Sequence, residues 1–328
     1  MGAWAEKIFN LSSQGDFRQL ALEAFLYQYR HNPVYRKYCD LLGKSSDHVH
    51  QIEDIPFLPI EFFKTRQIYA GQRRWEHVFT SSGTTDMSVS RHYIGDLELY
   101  RQSFRHTFQW FYGSPRKYCL LALLPGYMEN KNSSLIFMVD DLIKQTHHPD
   151  SGFYLEDRRG LVDKLDDLEK QGQPTILLGV SFALLELAER YQFNLQHTLV
   201  METGGMKGRR AELTREELHG LLKKRFGLAR IHSEYGMAEL LSQAYSTGEG
   251  RFFTPPWMKI MIRDYDDPFS WVDKGSSGGI NVIDLANLYS CPFIETKDIG
   301  RQHPDQSFEV LGRFDYSDIR GCNLLVIQ

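Results

Sequence analysis

Apolar positions from Phe17 to Tyr38 recur at helical spacing, which predicts an amphipathic stretch inside a mostly helical segment from residue 1 to about 75. The run Ile55-Pro56-Phe57-Leu58-Pro59-Ile60 interrupts that pattern, and its prolines predict extended chain crossing an edge of the fold. From Trp75 onward, β-prone runs alternate with helical ones. Trp75 to Phe79, Tyr118 to Leu124, Pro174 to Gly179 and Thr198 to Met201 read as strands. Ser133 to Gln145, Phe182 to Tyr191 and Thr214 to Phe226 read as helices. That alternation predicts an α/β layered fold with a largely parallel sheet. After Arg251 the pattern changes to short strands broken by Gly, Asp and Pro, at Trp257 to Arg263, Gly279 to Ile283 and Phe308 to Leu311. This part reads as a smaller β-rich subregion. With no repeat and no low-complexity linker, residues 1–328 are taken as one domain.

Composition narrows the function classes. An apolar content of 42% and an aromatic content of 13% describe a globular chain. A formal charge of −4 gives no footprint for nucleic acid. The basic clusters Lys207 to Arg210 and Lys223 to Arg225 read as solvated faces. No segment reaches the ~20 apolar residues of a membrane span, and the N-terminus lacks a signal peptide's basic region and apolar core. Cys39, Cys119, Cys291 and Cys322 are far apart and form no C-x-x-C pair, so the expectation is a reduced, cytoplasmic protein.

Three stretches offer chemistry. Ser81-Ser82-Gly83-Thr84-Thr85 follows the first strand and combines hydroxyl donors, backbone N–H groups and one glycine. That set suits phosphate oxygens, although taken alone such a cluster is an ordinary turn. Glu202-Thr203-Gly204-Gly205-Met206-Lys207-Gly208 follows another strand, where open α/β sheets place ligands, and its glycines would let a flat ring lie on the backbone. Ser233-Glu234-Tyr235-Gly236-Met237-Ala238-Glu239 adds a stacking ring, a close-approach glycine and a hard oxygen ligand for Mg²⁺. The plain alternative for Glu239 is a solvated carboxylate in a first helical turn. Near the end, Asp298 reads as a turn carboxylate and Arg313 as a cation, either able to hold a ribose diol.

In their order, S-S-G-T-T, G-G-M-K-G, S-E-Y-G-M-A-E, T-K-D and G-R-F-D-x-x-x-I-R-G resemble the adenylate-forming superfamily, from Ile55 onward. The branch most similar is the acyl-protein synthetase (LuxE-type) family. It shares Leu124-Pro125-Gly126-Tyr127, Asn132 to Leu135, Glu202 to Gly208 and Ile319-Arg320-Gly321-Cys322. The resemblance implies the large-domain fold of those enzymes and an activity: ATP with Mg²⁺ activates a carboxylic acid, a fatty acid in that branch, to an acyl-adenylate. By the same resemblance Ser81, Ser82, Gly83, Thr84 and Thr85 would hold the β- and γ-phosphates. Gly204 and Gly205 would flank the adenine, Met206 and Gly236 would join the nucleotide site, and Tyr235 would stack on the ring. Asp298 and Arg313 would bind the ribose, Glu239 would bring Mg²⁺, and Asp315 would match the hinge. Cys322, in a tail spanning 316–328, would accept the acyl group as a thioester and pass it to an acyl-CoA-reductase-like partner.

Departures accompany the match. Ala238 stands where the superfamily has Thr, Asp86 stands where Gly follows S-G-T-T, and the Lys usual a few residues later is absent. The sequence runs to Gln328, just past the hinge motif, and the expectation is an adenylating domain without the superfamily's small domain and its lysine. Three other readings stay open. Coenzyme A or a carrier protein could be the acceptor. Ser181 in Gly179-Val180-Ser181-Phe182-Ala183 could be a hydrolase nucleophile on an elbow-like turn, although its fifth position is Ala183. The fold could also persist as a non-catalytic binding subunit.

Overall fold

Asn32 shows how the sequence shapes the N-terminal helices. It ends α2 (Gln14–His31) and its side chain accepts from the N–H of Tyr35, starting α3 (Pro33–Leu41) with Pro33 in the first turn. The amphipathic stretch expected from Phe17 to Tyr38 is therefore two helices. Asn32 also donates to the carbonyl of Ser290, which fixes the break against the far end of the chain. Ahead of them lies α1 (Gly2–Phe9), and behind them the short α4 (Phe62–Thr65). The computed structural model describes residues 2–81, 89–125, 131–204 and 213–314.

Among the described residues the remaining helices are α5 (Leu97–Tyr112), α6 (Ser134–Thr146), α7 (Arg158–Gln171), α8 (Ser181–Arg190) and α9 (Arg215–Phe226). The strands are β1 (Leu58–Pro59), β2 (His77–Thr80), β3 (Arg91–Ile94), β4 (Cys119–Leu123), β5 (Gly152–Phe153), β6 (Thr175–Val180) and β7 (Thr198–Thr203), then β8 (His232–Tyr235), β9 (Ala244–Ser246), β10 (Phe252–Phe253), β11 (Met258–Arg263), β12 (Ser277–Asp284), β13 (Phe293–Gln302) and β14 (Phe308–Arg313). Twelve of them form one sheet in the order β11-β12-β13-β14-β10-β9-β8-β7-β6-β4-β5, with β1 beside β13; β2 and β3 form a separate ribbon. From β5 to β8 the pairing is parallel, and from β8 to β11 it is antiparallel. The strands after Arg251 thus extend the same sheet. The prolines at 56 and 59 place β1 on its margin, parallel to β13, as the extended reading requires.

Alternate residues of the central strands enter two different cores. In β4, Leu120 and Ala122 join the larger cluster with α1–α3, while Cys119, Leu121 and Leu123 join a second with α7–α9. Burial on both faces is what makes these strands near-continuous apolar runs. Helices α5 and α7 and strand β13 escape the sequence reading. In β13 the run Thr296-Lys297-Asp298-Ile299-Gly300-Arg301 is polar enough to resemble turns, yet it pairs with β12 on one side and β14 on the other. No helix among the described residues is long and apolar enough to cross a membrane.

Candidate functional site

The parallel strands β6, β7 and β8 end side by side, and their last residues deliver Ser181, Gly204 and Tyr235 to one rim of the sheet. This is the edge where open α/β sheets hold ligands. Gly204 has φ +71 and open space where a side chain would stand, so its backbone is bare toward that rim. Ser233, Glu234 and Tyr235 are strand residues rather than a loop after a strand, because the preceding apolar run is shorter than the ladder.

The ribbon β2–β3 brings the first motif. Ser81 N–H donates to Ser90 O (3.2 Å) and Ser90 N–H to Ser81 Oγ (3.1 Å), a clamp between the two strands of the ribbon. Ser82, Gly83, Thr84 and Thr85 lie outside the described residues, as do Gly205, Met206, Asp315 and Cys322.

The hydroxyl of Ser90 reaches the carboxylate of Glu239. Glu239 is not in a helix and not solvated: it sits in a turn and is 5% exposed. Burial holds its carboxyl above the ordinary value, opposed by Ser90, Arg313 and Lys64. The turn is pinned from below. The ring of His92 contacts Ala238 O (2.7 Å) and Asn287 Oδ1 (2.8 Å), and Asn287 Nδ2 donates to Glu239 O (2.8 Å). On the following residues, Asp284 accepts from the N–H groups of Leu241 and Ser242 at 2.8 and 2.9 Å. A buried carboxylate fixed this way beside hydroxyl donors suits a magnesium ion that keeps phosphate oxygens as its other ligands. No cluster of three or more metal-binding side chains occurs among the described residues.

Tyr235, Asp298 and Arg313 form a second unit. Tyr235 OH donates to Asp298 Oδ2 (2.8 Å), and Arg313 Nε lies 3.3 Å from Asp298 Oδ1. Asp298 is in β13 directly opposite Arg313 in β14, which corrects the expected turn. Burial raises the carboxyl of Asp298 against the pull of Arg313 and Tyr235. The ring of Tyr235 meets Phe252 and Phe308 at 6.0 and 5.5 Å, so it is rigidly held.

Sequence reasoning missed the polar layer under this rim. Ser181 Oγ contacts Glu202 Oε2 (3.0 Å) and Gly204 O (2.8 Å) and no histidine, which removes support for a nucleophile there. His219 Nε2 lies 3.6 Å from Glu202 Oε1 instead. Burial would raise Glu202, but His219, Arg215 and Ser233 outweigh it and hold the carboxyl below its ordinary value. Glu234, held by Thr203 Oγ1, has no such cations, and burial pushes it up to about 7. The usable signal was a glutamate next to last in each of the neighbouring strands β7 and β8.

That elevation predicts a pH dependence. Glu234 is raised above its ordinary 4.5, so its contribution is full below pH 4.5 and is lost as pH rises through 7. Relative to Glu234→Gln, the wild type is expected to lose about 3 kcal/mol between those limits, at ~1.4 kcal/mol per pH unit. Parallel denaturant titrations of both proteins at pH 4.5 and 8 check this, and equal pH dependence would refute it.

The family model for acyl-protein synthetase, LuxE, matches residues 9–328. A long-chain-fatty-acid–luciferin-component ligase of Vibrio harveyi is 25% identical over 340 residues, covering 94% of this chain and 87% of that protein. Among solved structures, an open 2-hydroxyisobutyryl-CoA ligase with 2-HIB-AMP and CoA aligns with a TM-score of 0.68 at 13% identity, over 92% of this chain and 70% of its own. ATP-bound MatB from Rhodopseudomonas palustris aligns with a TM-score of 0.54 at 18% identity, over 72% of this chain. This chain spans about half of MatB, 47% of its length. These likenesses show the adenylate-forming large-domain fold.

Proposed function

The chain belongs to the acyl-protein synthetase (LuxE) family, and from that premise we propose that it activates a carboxylic acid with ATP and transfers the acyl group to a cysteine. The observation that carries the reading is the meeting, at one sheet rim, of the Ser81–Ser90–Glu239 unit with the Tyr235–Asp298–Arg313 unit. Ser81 to Thr85 would receive the β- and γ-phosphates, and Glu239 the Mg²⁺ that shields them. Gly204, Gly205, Met206, Tyr235 and Gly236 would surround the adenine, while Asp298 and Arg313 take the ribose diol. Lys64 and Arg313, the cations that bear on Glu239, add positive charge beside the phosphates.

A carboxylate oxygen attacks the α-phosphorus, the α–β anhydride bond breaks, and pyrophosphate leaves. The Cys322 thiolate then attacks the acyl carbon and releases AMP. Arg320, two residues away in sequence, would favour the thiolate form of Cys322. The V. harveyi relative is named for a long-chain fatty acid, and we extend that class to this chain, with a reductase-like protein as the final acceptor in a cytoplasmic setting.

ATP with Mg²⁺ is expected to raise the melting temperature, because a ligand that binds only the folded state stabilises it by mass action. Tyr235→Ala and Asp298→Ala should each lose that shift at moderate ATP. Melting curves decide it: a wild-type shift in both variants would place the nucleotide elsewhere.

A further inference from the structure

Gly236 is exposed, and two buried polar side chains, Glu234 and Gln243, pack against it. Extending the Tyr235↔Ala244 pairing by one step sets Gly236 opposite Gln243. A side-chain carbon on Gly236 would stand 2.4 Å from Glu234 Oε1 and 3.5 Å from Gln243 Cγ. Gln243 is 4% exposed, and its Oε1 is buried with no hydrogen-bond partner. The other carboxylate oxygen of Glu234 already receives Thr203 Oγ1. Nearby hydroxyls do not fill the gap: Tyr100 donates to Ser134 O, and Tyr112 pairs with His232 Nδ1. A buried acceptor without a donor is costly, and folded proteins seldom leave one.

The face matters as well. Successive strand residues point to opposite sides, so Glu234 lies across the sheet from Tyr235 and its Asp298 partner. The ribose end of the nucleotide is therefore on the other side. Gly236 is also three residues from Glu239, close to where the acid must meet the phosphates.

We propose that the acid this chain activates carries a hydrogen-bond donor, a hydroxyl or an amino group, which Glu234 and Gln243 receive beside Gly236. The proposal rests on the acid-activating reading above, and a fatty chain bearing such a group satisfies both. Burial keeps Glu234 partly protonated at neutral pH, so a hydroxyl meets either form while an ammonium favours the ionised one.

The test is ATP–pyrophosphate exchange over matched acids of equal length, each plain, hydroxylated or aminated at successive carbons. One substituted acid should exceed its plain partner in kcat/KM on the order of 10²-fold, as sites built around a substrate donor reject analogues lacking it. Gln243→Met should bring that ratio near one, with kcat/KM for the plain acid kept or raised and the KM for ATP unchanged. Glu234→Met, which removes the other acceptor, provides the same reading if Gln243→Met does not fold. Plain acids equal to or better than every substituted partner in the wild type would overturn the proposal. So would a Gln243→Met effect confined to the KM for ATP, which would make the donor the adenine amino group. Exchange with no acid at all would instead overturn the acid-activating reading beneath it.

Discussion

Replacing Glu239 with glutamine is expected to lower acid-dependent pyrophosphate exchange by about 10²-fold or more, the scale of removing one preorganised electrostatic group. ATP affinity should change far less. The substitution keeps the shape of the side chain and an oxygen for Ser90. The turn itself is held by backbone contacts to Asn287, His92 and Asp284, so the site should stay in place. What disappears is one negative charge. In the proposed chemistry that charge holds Mg²⁺ where the leaving pyrophosphate gains charge, an interaction stronger in the transition state than in the ground state. Exchange rates and ATP-induced melting shifts, measured on the same preparations, separate rate from binding. A Glu239→Gln protein with the wild-type rate would reduce Glu239 to a structural carboxylate.

Cys322→Ser is expected to leave acyl-adenylate formation intact and to abolish hydroxylamine-sensitive labelling by a radioactive acid with ATP. An oxygen ester resists mild hydroxylamine better than a thioester, so the chemistry of the bond identifies its atom. The other cysteines are poor candidates. Cys39, Cys119 and Cys291 are fully buried, and burial pushes the Cys39 thiol up to about 12 and Cys119 up to about 11, with Cys291 higher still. At neutral pH such thiols hold almost no thiolate, the form that attacks an acyl carbon. Serine at those three positions should cost stability and spare labelling. Arg320→Ala should slow labelling without ending it. Undiminished thioester labelling of the Cys322→Ser protein would put the acyl group on another of its cysteines and overturn the role of Cys322.

The layered α/β plan and the candidate rim were legible because period and motif agree there. Apolar runs as regular as Thr175–Val180 and Thr198–Thr203 can hardly be anything but buried parallel strands. What was not legible came from tertiary context overriding local signals. Thr296 to Arg301 looks like turns, yet becomes a central strand because β12 and β14 pair with it on both sides. Glu239 looks like an ordinary first-turn glutamate until β3 and Asn287 bury it. Ser90, His92 and Asn287 belong to no motif; His92 meets Ala238 and Asn287 from 146 and 195 residues away, and only the folded chain brings them together. Glu234 stood inside a quoted motif, but its packing with Gln243 against Gly236 depends on the β8–β9 pairing, which no motif announces.

The most direct measurement is exchange of labelled pyrophosphate into ATP by the wild-type protein, screened over fatty and aromatic acids. Acid activation predicts incorporation only when ATP, Mg²⁺ and a competent acid are present together, with the signal lost when any one is withheld. A protein that melts higher with ATP yet incorporates no label with any acid would contradict it, and would make this fold a nucleotide-binding subunit without chemistry of its own.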